Sequence, residues 1–493
     1  MKGRRLLFIA LTAAAALAAA LVLSRALSST VRFTVHSNLA QYHEARKNYP
    51  LAIRHYHEAA RIFRERQILK HLVNVYAMDM KRFGSEPAEA LGPAGTERKA
   101  RAIIARAPEN PLAYMLLGRF FQSRALYARA EEQYDRALEI NPHVLPHALQ
   151  LKAHLEYEYR RNVPGAIALF EKSCGKDVRK LNDIHVLPKL YYLDGRAAEK
   201  ESFLRAYAAR HSASGDPGVL EALGYAHLAL GNVTAANGAF ARALQKRITS
   251  GMILGYRTTR AALLIEEAKK TPPAKERIYP LLETAVNAHP PSWKRAVEVL
   301  IEKRLEDLPD GAFPGLHFAM GNHHGASGMT AGMESEYVKA LKSDPGHFPT
   351  IAALEKHYRA LGWSFELNAL LLDAKKHETA VIEQKDFRGV RNGTLLTSGS
   401  FIADGVKLLS GDVTVSVHAR GTPAAGSDPV MVVRLDDAFV GSAPVGNRWE
   451  WYSFDASVAT GAHLLEIFFP NDAWFGGADD RNLFVRQIRI RRK

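Results

Sequence analysis

Among 493 residues there is one cysteine, Cys174. A lone thiol excludes an intramolecular disulfide, a Cys-x-x-Cys redox pair and any multi-cysteine zinc site, and leaves the role of a small buried hydrophobe. The signatures of common catalysts are missing too. No HExxH helix, GxSxG elbow, GxxxxGK[ST] phosphate loop or Rossmann glycine fingerprint occurs. A glycoside hydrolase needs only two carboxylates, which no motif search excludes, but it needs them in a substantial catalytic domain. The two kinds of region in this chain leave none over, so no catalysis is expected. Also absent is a second long apolar run after residue 30, so the chain is not expected to cross a membrane twice.

What is present begins at the amino terminus. Lys2, Arg4 and Arg5 precede the uncharged run LLFIALTAAAALAAALVLS, Leu6–Ser24. Such a helix rises about 28 Å, close to the thickness of the bilayer core. Residues 1–30 are therefore either a single inner-membrane anchor or a signal cleaved after Ala26, where Ser24-Arg25-Ala26 supplies small residues. The positive start stays inside and the rest is exported. This places the protein in a bacterial cell envelope, periplasmic if anchored, periplasmic or secreted if cleaved. Charge is uneven. Of 66 Lys+Arg and 51 Asp+Glu, residues 391–493 carry 11 of each, so the +15 excess lies in the first 390 residues. That surplus suits an anionic polymer or membrane face, or is a solvated surface. Nucleic acid is not an expected partner.

A repeat organises the middle of the chain. In PLAYMLLGRFFQSRALYARAEEQYDRALEINP, Pro111–Pro142, the residues Tyr114, Leu117, Gly118 and Phe121 share one helix face, while Ala130, Tyr134 and Ala137 share the next. Small residues at 118 and 130 let two antiparallel helices approach. The frame recurs with Leu220, Leu223, Gly224, Ala236, Phe240 and Ala243, and again with Met320, Gly321, Tyr337, Ala340 and Pro345. It is weaker through Leu39, Ala40, Ala52, Tyr56 and Ala59. From Thr249 to Pro309, and from Pro349 to His377, the pattern is helical but degenerate. These units resemble the tetratricopeptide repeat. The resemblance implies helix hairpins stacked into an α-solenoid over residues 36–380, with a groove for a protein partner. A bare spacer is the alternative. Within it, His317, His323 and His324 suggest a metal, but adjacent histidines on a helix diverge by about 100°, so a core imidazole at His317 is expected instead.

After LNALLLDAKKHETAVIEQKDF the period changes to two. GDVTVSVHAR, PVMVVRLDD, RWEWYSFDAS, HLLEIFFP and NLFVRQIRIRR are short β runs separated by turn residues, which predicts a jelly-roll-like antiparallel β-sandwich over 391–493, joined near Lys385–Gly393. Between its last two runs lies NDAWFGGADDRNL, with Asp472, Asp479 and Asp480 around Trp474, Phe475 and two glycines.

The order Asn-Asp, an aromatic and glycine loop, then Asp-Arg-Asn-Leu and a β run resembles calcium-dependent carbohydrate-binding modules of the xylan-binding type. The resemblance covers about 391–493 and is strongest over Asn471–Ile490. It implies that calcium, which takes six to eight oxygen ligands, bridges protein and sugar hydroxyls. Carried over, Asp472 and Asp480 are the first ligand candidates, with Asp479 and the carbonyls of Trp474–Ala478 next. Trp474 and Phe475 would stack on a sugar ring, and Asp480 would face the sugar. Arg481 and Asn482 have a structural reading: Arg481 neutralising the loop, Asn482 bonding backbone. Asp436 and Asp437 form a weaker acidic pair at a strand end. The expected protein is thus an exported, non-catalytic scaffold that binds polysaccharide through calcium and recruits protein partners, in exopolysaccharide assembly or export. The alternative is a pure protein-interaction scaffold whose sandwich binds no sugar.

Overall fold

The computed structural model describes residues 28–493 apart from 64–65, 83–91, 125, 142–145, 176–183, 389–393, 396–398, 425–427, 471–472 and 475–479. The apolar run Leu6–Ser24 lies outside the described residues. Among those described, no helix is long and apolar enough to cross a membrane. The chain divides into two compact units, residues 1–122 with 126–152, and residues 123–125 with 153–493.

The first unit is helical, with helices at 28–45, Tyr49–Ile62, Arg66–Arg82, Gly92–Arg106, Pro111–Ser123 and Tyr127–Ile140. Ala52, Tyr56, Ala59, Leu72 and Tyr76 pack into one core. Gly118 lies where the two helices of its hairpin approach closely. A Cβ there would lie 2.4 Å from the Tyr134 ring, so only a bare backbone lets the two helices of this hairpin meet. The Tyr134 hydroxyl then reaches back to Gln122 Oε1 at 2.7 Å.

The second unit repeats that contact twice. A Cβ at Gly224 would meet Phe240 at 2.7 Å, and one at Gly321 would meet Tyr337 at 2.4 Å, while Ala236, Ala243 and Ala340 are fully buried. Glycine on the first helix, a ring on the second and alanine beside it make these hairpins tetratricopeptide-type. Where the sequence pattern degenerates, helices persist but change length. Ser250–Lys270 runs for 21 residues against 13 and 14 in the preceding hairpin. Thr249 caps it by accepting from the Met252 amide at 3.2 Å. Cys174 is buried beside Phe170 and Leu190.

The carboxyl-terminal part of this unit is a two-layer antiparallel sandwich. One sheet has the order β1 (Val381–Glu383), β11 (Asp480–Arg492), β5 (Gly411–Thr422), β8 (Glu450–Val458), with β3 (Thr394–Leu395) and β10 (Ala473–Trp474) also pairing with β11. The other has the order β2 (Phe387–Arg388), β4 (Gly399–Leu408), β9 (Gly461–Phe469), β6 (Val430–Leu435), β7 (Ala438–Pro444). Alternation of period two sends Val413, Val415, Val417 and Ala419 of β5 inward, to meet Phe401, Val433 and Ile467 from the facing sheet. β1 and β2 lie partly within the stretch 385–393 or before it, so pairing with β11 and β4 starts as soon as the last helix ends.

The outer face of β4 and β9 in the second sheet packs against helices. Its outer residues Ile402 and Leu464 pack against Ile253 with Leu244 and Ile248, and Leu409 packs against Phe348 and Ile351. Burying each such side chain stabilises by roughly 1.5–3 kcal/mol. Around this apolar contact the helices offer donors and the sheet offers carboxylates: Arg257 pairs with Asp404, and Arg161 with Asp437 at 3.1 Å. In the reverse sense, Glu355 accepts from the Ser410 and Thr460 hydroxyls, and Glu378 pairs with Arg492 at 2.9 Å. Most of these helical groups lie on or beside the first helices of their hairpins.

Candidate functional site

β9 leaves the covered sheet at Phe469, and the chain returns through β10 to start β11 in the other sheet. β10 and β11 form a short hairpin in which Ala473 pairs with Arg481 and Trp474 with Asp480. Directly opposed residues of such a ladder stand about 4.5–5.5 Å apart at Cα. The backbone therefore brings together an aromatic and an acidic position expected to act together. Asp472, Phe475 and Asp479 lie outside the described residues, as do the side chains of Trp474 and Asp480.

The base of this hairpin is fixed in the sandwich. Arg481 is buried and its guanidinium donates to the Ala424 carbonyl at 2.8 Å. The Asn482 amide donates to Thr422 Oγ1 at 2.9 Å, and Leu483 is fully buried in the core. The Arg-Asn-Leu part of the motif is thus the footing of a loop. Asn471, Asp472, Asp479 and Asp480 offer it hard oxygen donors, the chemistry that suits calcium rather than a thiolate- or imidazole-binding metal. Among the described residues no group of three or more His, Cys, Asp or Glu could hold a metal ion.

The second acidic pair is committed elsewhere. Asp436 and Asp437 are the two central residues of the β6–β7 hairpin, with φ of 51° and 66°. That backbone is the type I′ turn, which aspartate tolerates better than most side chains. Asp436 binds within the sandwich, to His463 Nδ1 at 2.6 Å and the Leu464 amide at 2.8 Å. Asp437 reaches the helices. It accepts from Tyr157 Oη at 3.4 Å and from Arg161 Nη1 at 3.1 Å, with the Ser250 hydroxyl at 2.9 Å and the Lys189 ammonium at 3.9 Å. Burial alone pushes the Asp437 carboxyl up, but Lys189, Arg161 and Arg434 outweigh it and hold it below its usual range. Lys189 mirrors this: burial pulls the ammonium down, and Glu221, the tyrosines 157 and 225, and Asp437 hold it well above its ordinary value. These carboxylates join parts of the protein rather than wait for an ion. Two adjacent acids in a turn signal a hairpin; nothing in their spacing tells of Lys189.

His317 is fully buried, as expected of a core imidazole, and both ring nitrogens are occupied, Nδ1 by Glu336 at 2.6 Å and Nε2 by the Pro309 carbonyl at 3.2 Å. His323 and His324 remain partly exposed on the same helix.

Residues 414–493 match the model of a calcium-dependent, xylan-binding carbohydrate-binding module. The match takes in most of β5, all of β6 to β11 and the whole loop. No curated protein matches the chain. Solved structures similar to it include PilW, a widely conserved type IV pilus biogenesis factor, at 16% identity over 46% of this chain and 98% of that one, with a TM-score of 0.32. A tetratricopeptide repeat protein from Parabacteroides merdae follows at 15% identity over 52% and 99%, with a TM-score of 0.27. A chain of the Cut9–Hcn1 hetero-tetramer of the APC/C matches at 13% identity over 63% of this chain, with a TM-score of 0.30; this chain spans 53%, about half, of the length of that one. A tetratricopeptide-type array followed by a module similar to this carbohydrate-binding family describes the chain.

Proposed function

We propose that the protein is an exported, non-catalytic scaffold that holds polysaccharide through calcium at its carboxyl-terminal module and recruits protein with its helical array. The carrying observation is that the match over 414–493 falls on the hairpin where Trp474 stands opposite Asp480, above the buried footing of Arg481 and Asn482. Asp472, Asp479 and Asp480 would hold the ion, with carbonyls of Trp474–Ala478 beside them. A bound calcium would supply free coordination positions to adjacent sugar hydroxyls. Trp474 and Phe475 would give a ring face to the pyranose. The helical array, residues 36–380, would offer a groove to a protein partner. Residues 1–30 would act as an inner-membrane anchor, holding the protein in the periplasm of a bacterial envelope, or as a cleaved signal that leaves it periplasmic or secreted. An anchor at one end and a sugar module at the other suit exopolysaccharide assembly or export.

Because Glu466, Ile402 and Leu464 are buried against helices and Asp437 bonds to them, the full chain, not an excised sandwich, is the proper sample. Titration calorimetry with xylan, alginate and cellulose oligomers should show a component of binding that disappears on chelating calcium. Asp480→Ala should lose it with an unchanged unfolding transition. If no oligomer binds in a calcium-dependent way, the scaffold reading without sugar replaces this one. The mass of the mature amino terminus separates anchor from cleaved signal.

A further inference from the structure

The two outer faces of the sandwich have different fates. That of β4, β9 and β6 lies under helices; that of β11, β5 and β8 does not. Because Val413, Val415, Val417 and Ala419 point inward, Thr414, Ser416, His418 and Arg420 point outward from the middle strand. Register sets Phe484, Gln487 and Arg489 of β11 beside Arg420, His418 and Ser416, and Trp451 and Ser453 of β8 on the other side of His418 and Ser416.

These side chains form a flat, layered surface. His418 stacks on Trp451 with centroids 4.7 Å apart and planes at 12°, and its ring lies 5.3 Å from that of Trp449. The Arg489 guanidinium lies 4.4 Å from the Trp451 centroid. Arg420 sits between two rings, 4.6 Å from Phe484 and 5.4 Å from Trp449. Both tryptophans keep about two fifths of their surface in water, at 39% and 40% exposure. Indole is the costliest side chain to leave wet, and two of them on one sheet face mark a contact surface rather than a core.

Arg420 adds an independent sign. Its Nε is buried without a hydrogen-bond partner, and among the described residues no carboxylate pairs with the guanidinium. Such a fork suits a planar carboxylate, which it can bind in two places at once. The neutral groups fit as well. Ser416 and Ser453 meet each other at 2.8 Å, and Thr414 donates to Asp455 at 2.9 Å, so the hydroxyls lie in a row able to exchange partners with sugar hydroxyls. Burial, then Arg486 and Arg489, lowers the His418 pKa, so the imidazole stays uncharged at neutral pH and the positive charge rests on arginines.

We propose that the open face of β11, β5 and β8 is a second glycan-binding surface, selective for acidic polysaccharide: pyranose rings stack on Trp451 and Trp449 while Arg420 and Arg489 take uronate carboxylates. The six residue steps from Thr414 to Arg420 span about 20 Å, room for several rings in a row. The surface lies on described strands and does not depend on the calcium loop. Aromatic rings with arginine also suit single-stranded nucleic acid, but the carbohydrate-module match over these strands favours a glycan.

The test uses the purified full chain and three probes, an oligouronate, a neutral xylan oligomer and oligothymidylate, each with calcium and with EDTA. Oligouronate should bind at least tenfold tighter than the neutral oligomer in EDTA. Trp451→Ala and the double variant Arg420→Gln, Arg489→Gln should each weaken it about tenfold or more, with unfolding transitions close to wild type. Asp480→Ala should leave this EDTA-resistant binding intact. Unchanged oligouronate affinity in both variants would overturn the proposal, as would absence of EDTA-resistant binding or tighter binding of oligothymidylate. Loss of the calcium-dependent component alone would count against the loop and not against this face.

Discussion

The two sheets of the sandwich obey one alternation rule, yet their outer residues are nearly opposite in kind. Under the helices stand Ile402, Leu464, Asp404 and Glu466; facing water stand Ser416, Trp451, Arg489 and Arg491. On the covered sheet each buried carboxylate named above meets a cation or hydroxyl, since an unpaired buried charge costs several kcal/mol. On the open sheet arginines lie over rings, and among the described residues Arg420 has no acid beside it. The difference separates a surface already satisfied within the chain from one whose groups are set out for something else.

The largest effect should follow from breaking the satisfied side. Asp437→Ala removes the acceptor shared by Tyr157, Arg161 and Ser250 and takes one of two carboxylates from beside Lys189, leaving Glu221. A loss of roughly 3–5 kcal/mol is expected in chemical denaturation. If the midpoint hardly moves, the helices and the sandwich are not one cooperative unit.

Acid should act on the same side. His347, packed within the helices near Lys407, has its pKa lowered to about 4, chiefly by burial. A folded pKa below the unfolded 6.5 means the protonated ring disfavours folding. Its stabilising contribution is complete above about pH 6.5 and fades as pH falls toward 4, by about 3 kcal/mol in all. Asp437 and Glu355, whose pKa values are also lowered, give up their contributions only as pH drops further. His227 and His289 shift in the same direction as His347. The informative measurement is therefore the difference in denaturation midpoint between wild type and His347→Gln, at pH 7 and at pH 5. A pH-independent difference would remove His347 from the account.

Much of this architecture is legible in the residues alone, and the reason is local. Gly118, Gly224 and Gly321 announce hairpins because a close helix approach tolerates nothing larger against Tyr134, Phe240 and Tyr337. Alternating runs announce the strands because the pleat has period two. Long-range partnership has no such local signature. Asp436-Asp437 reads as a turn whichever lysine lies beneath it, and RWEWYSFDAS reads as a half-wet strand without saying which half is covered. Of the loop, its motif and its footing are legible, because Arg481, Asn482 and Leu483 enter a strand whose core positions the alternation predicts.

Smaller changes sharpen the contrast. Ile402→Val on the covered sheet removes one methylene from a fully buried site and should cost about 1 kcal/mol. A value near zero would mean the contact with Ile253 and Leu464 is loosely packed.

The smallest stability effect belongs to the open face. Ser453→Ala and Arg489→Gln alter exposed groups whose partners, Ser416 and Gln487, also lie in water. Each should shift the denaturation free energy by less than about 0.5 kcal/mol. Arg489→Gln should nevertheless weaken acidic-glycan binding measurably, since its guanidinium stands over the Trp451 ring where a uronate would lie. Stability and affinity would then separate: changes on the covered sheet move the first and spare the second, and changes on the open sheet do the reverse. An Arg489→Gln variant that unfolds as readily as Asp437→Ala would show that the guanidinium holds the sheet together, and the distinction between the two faces would fail there.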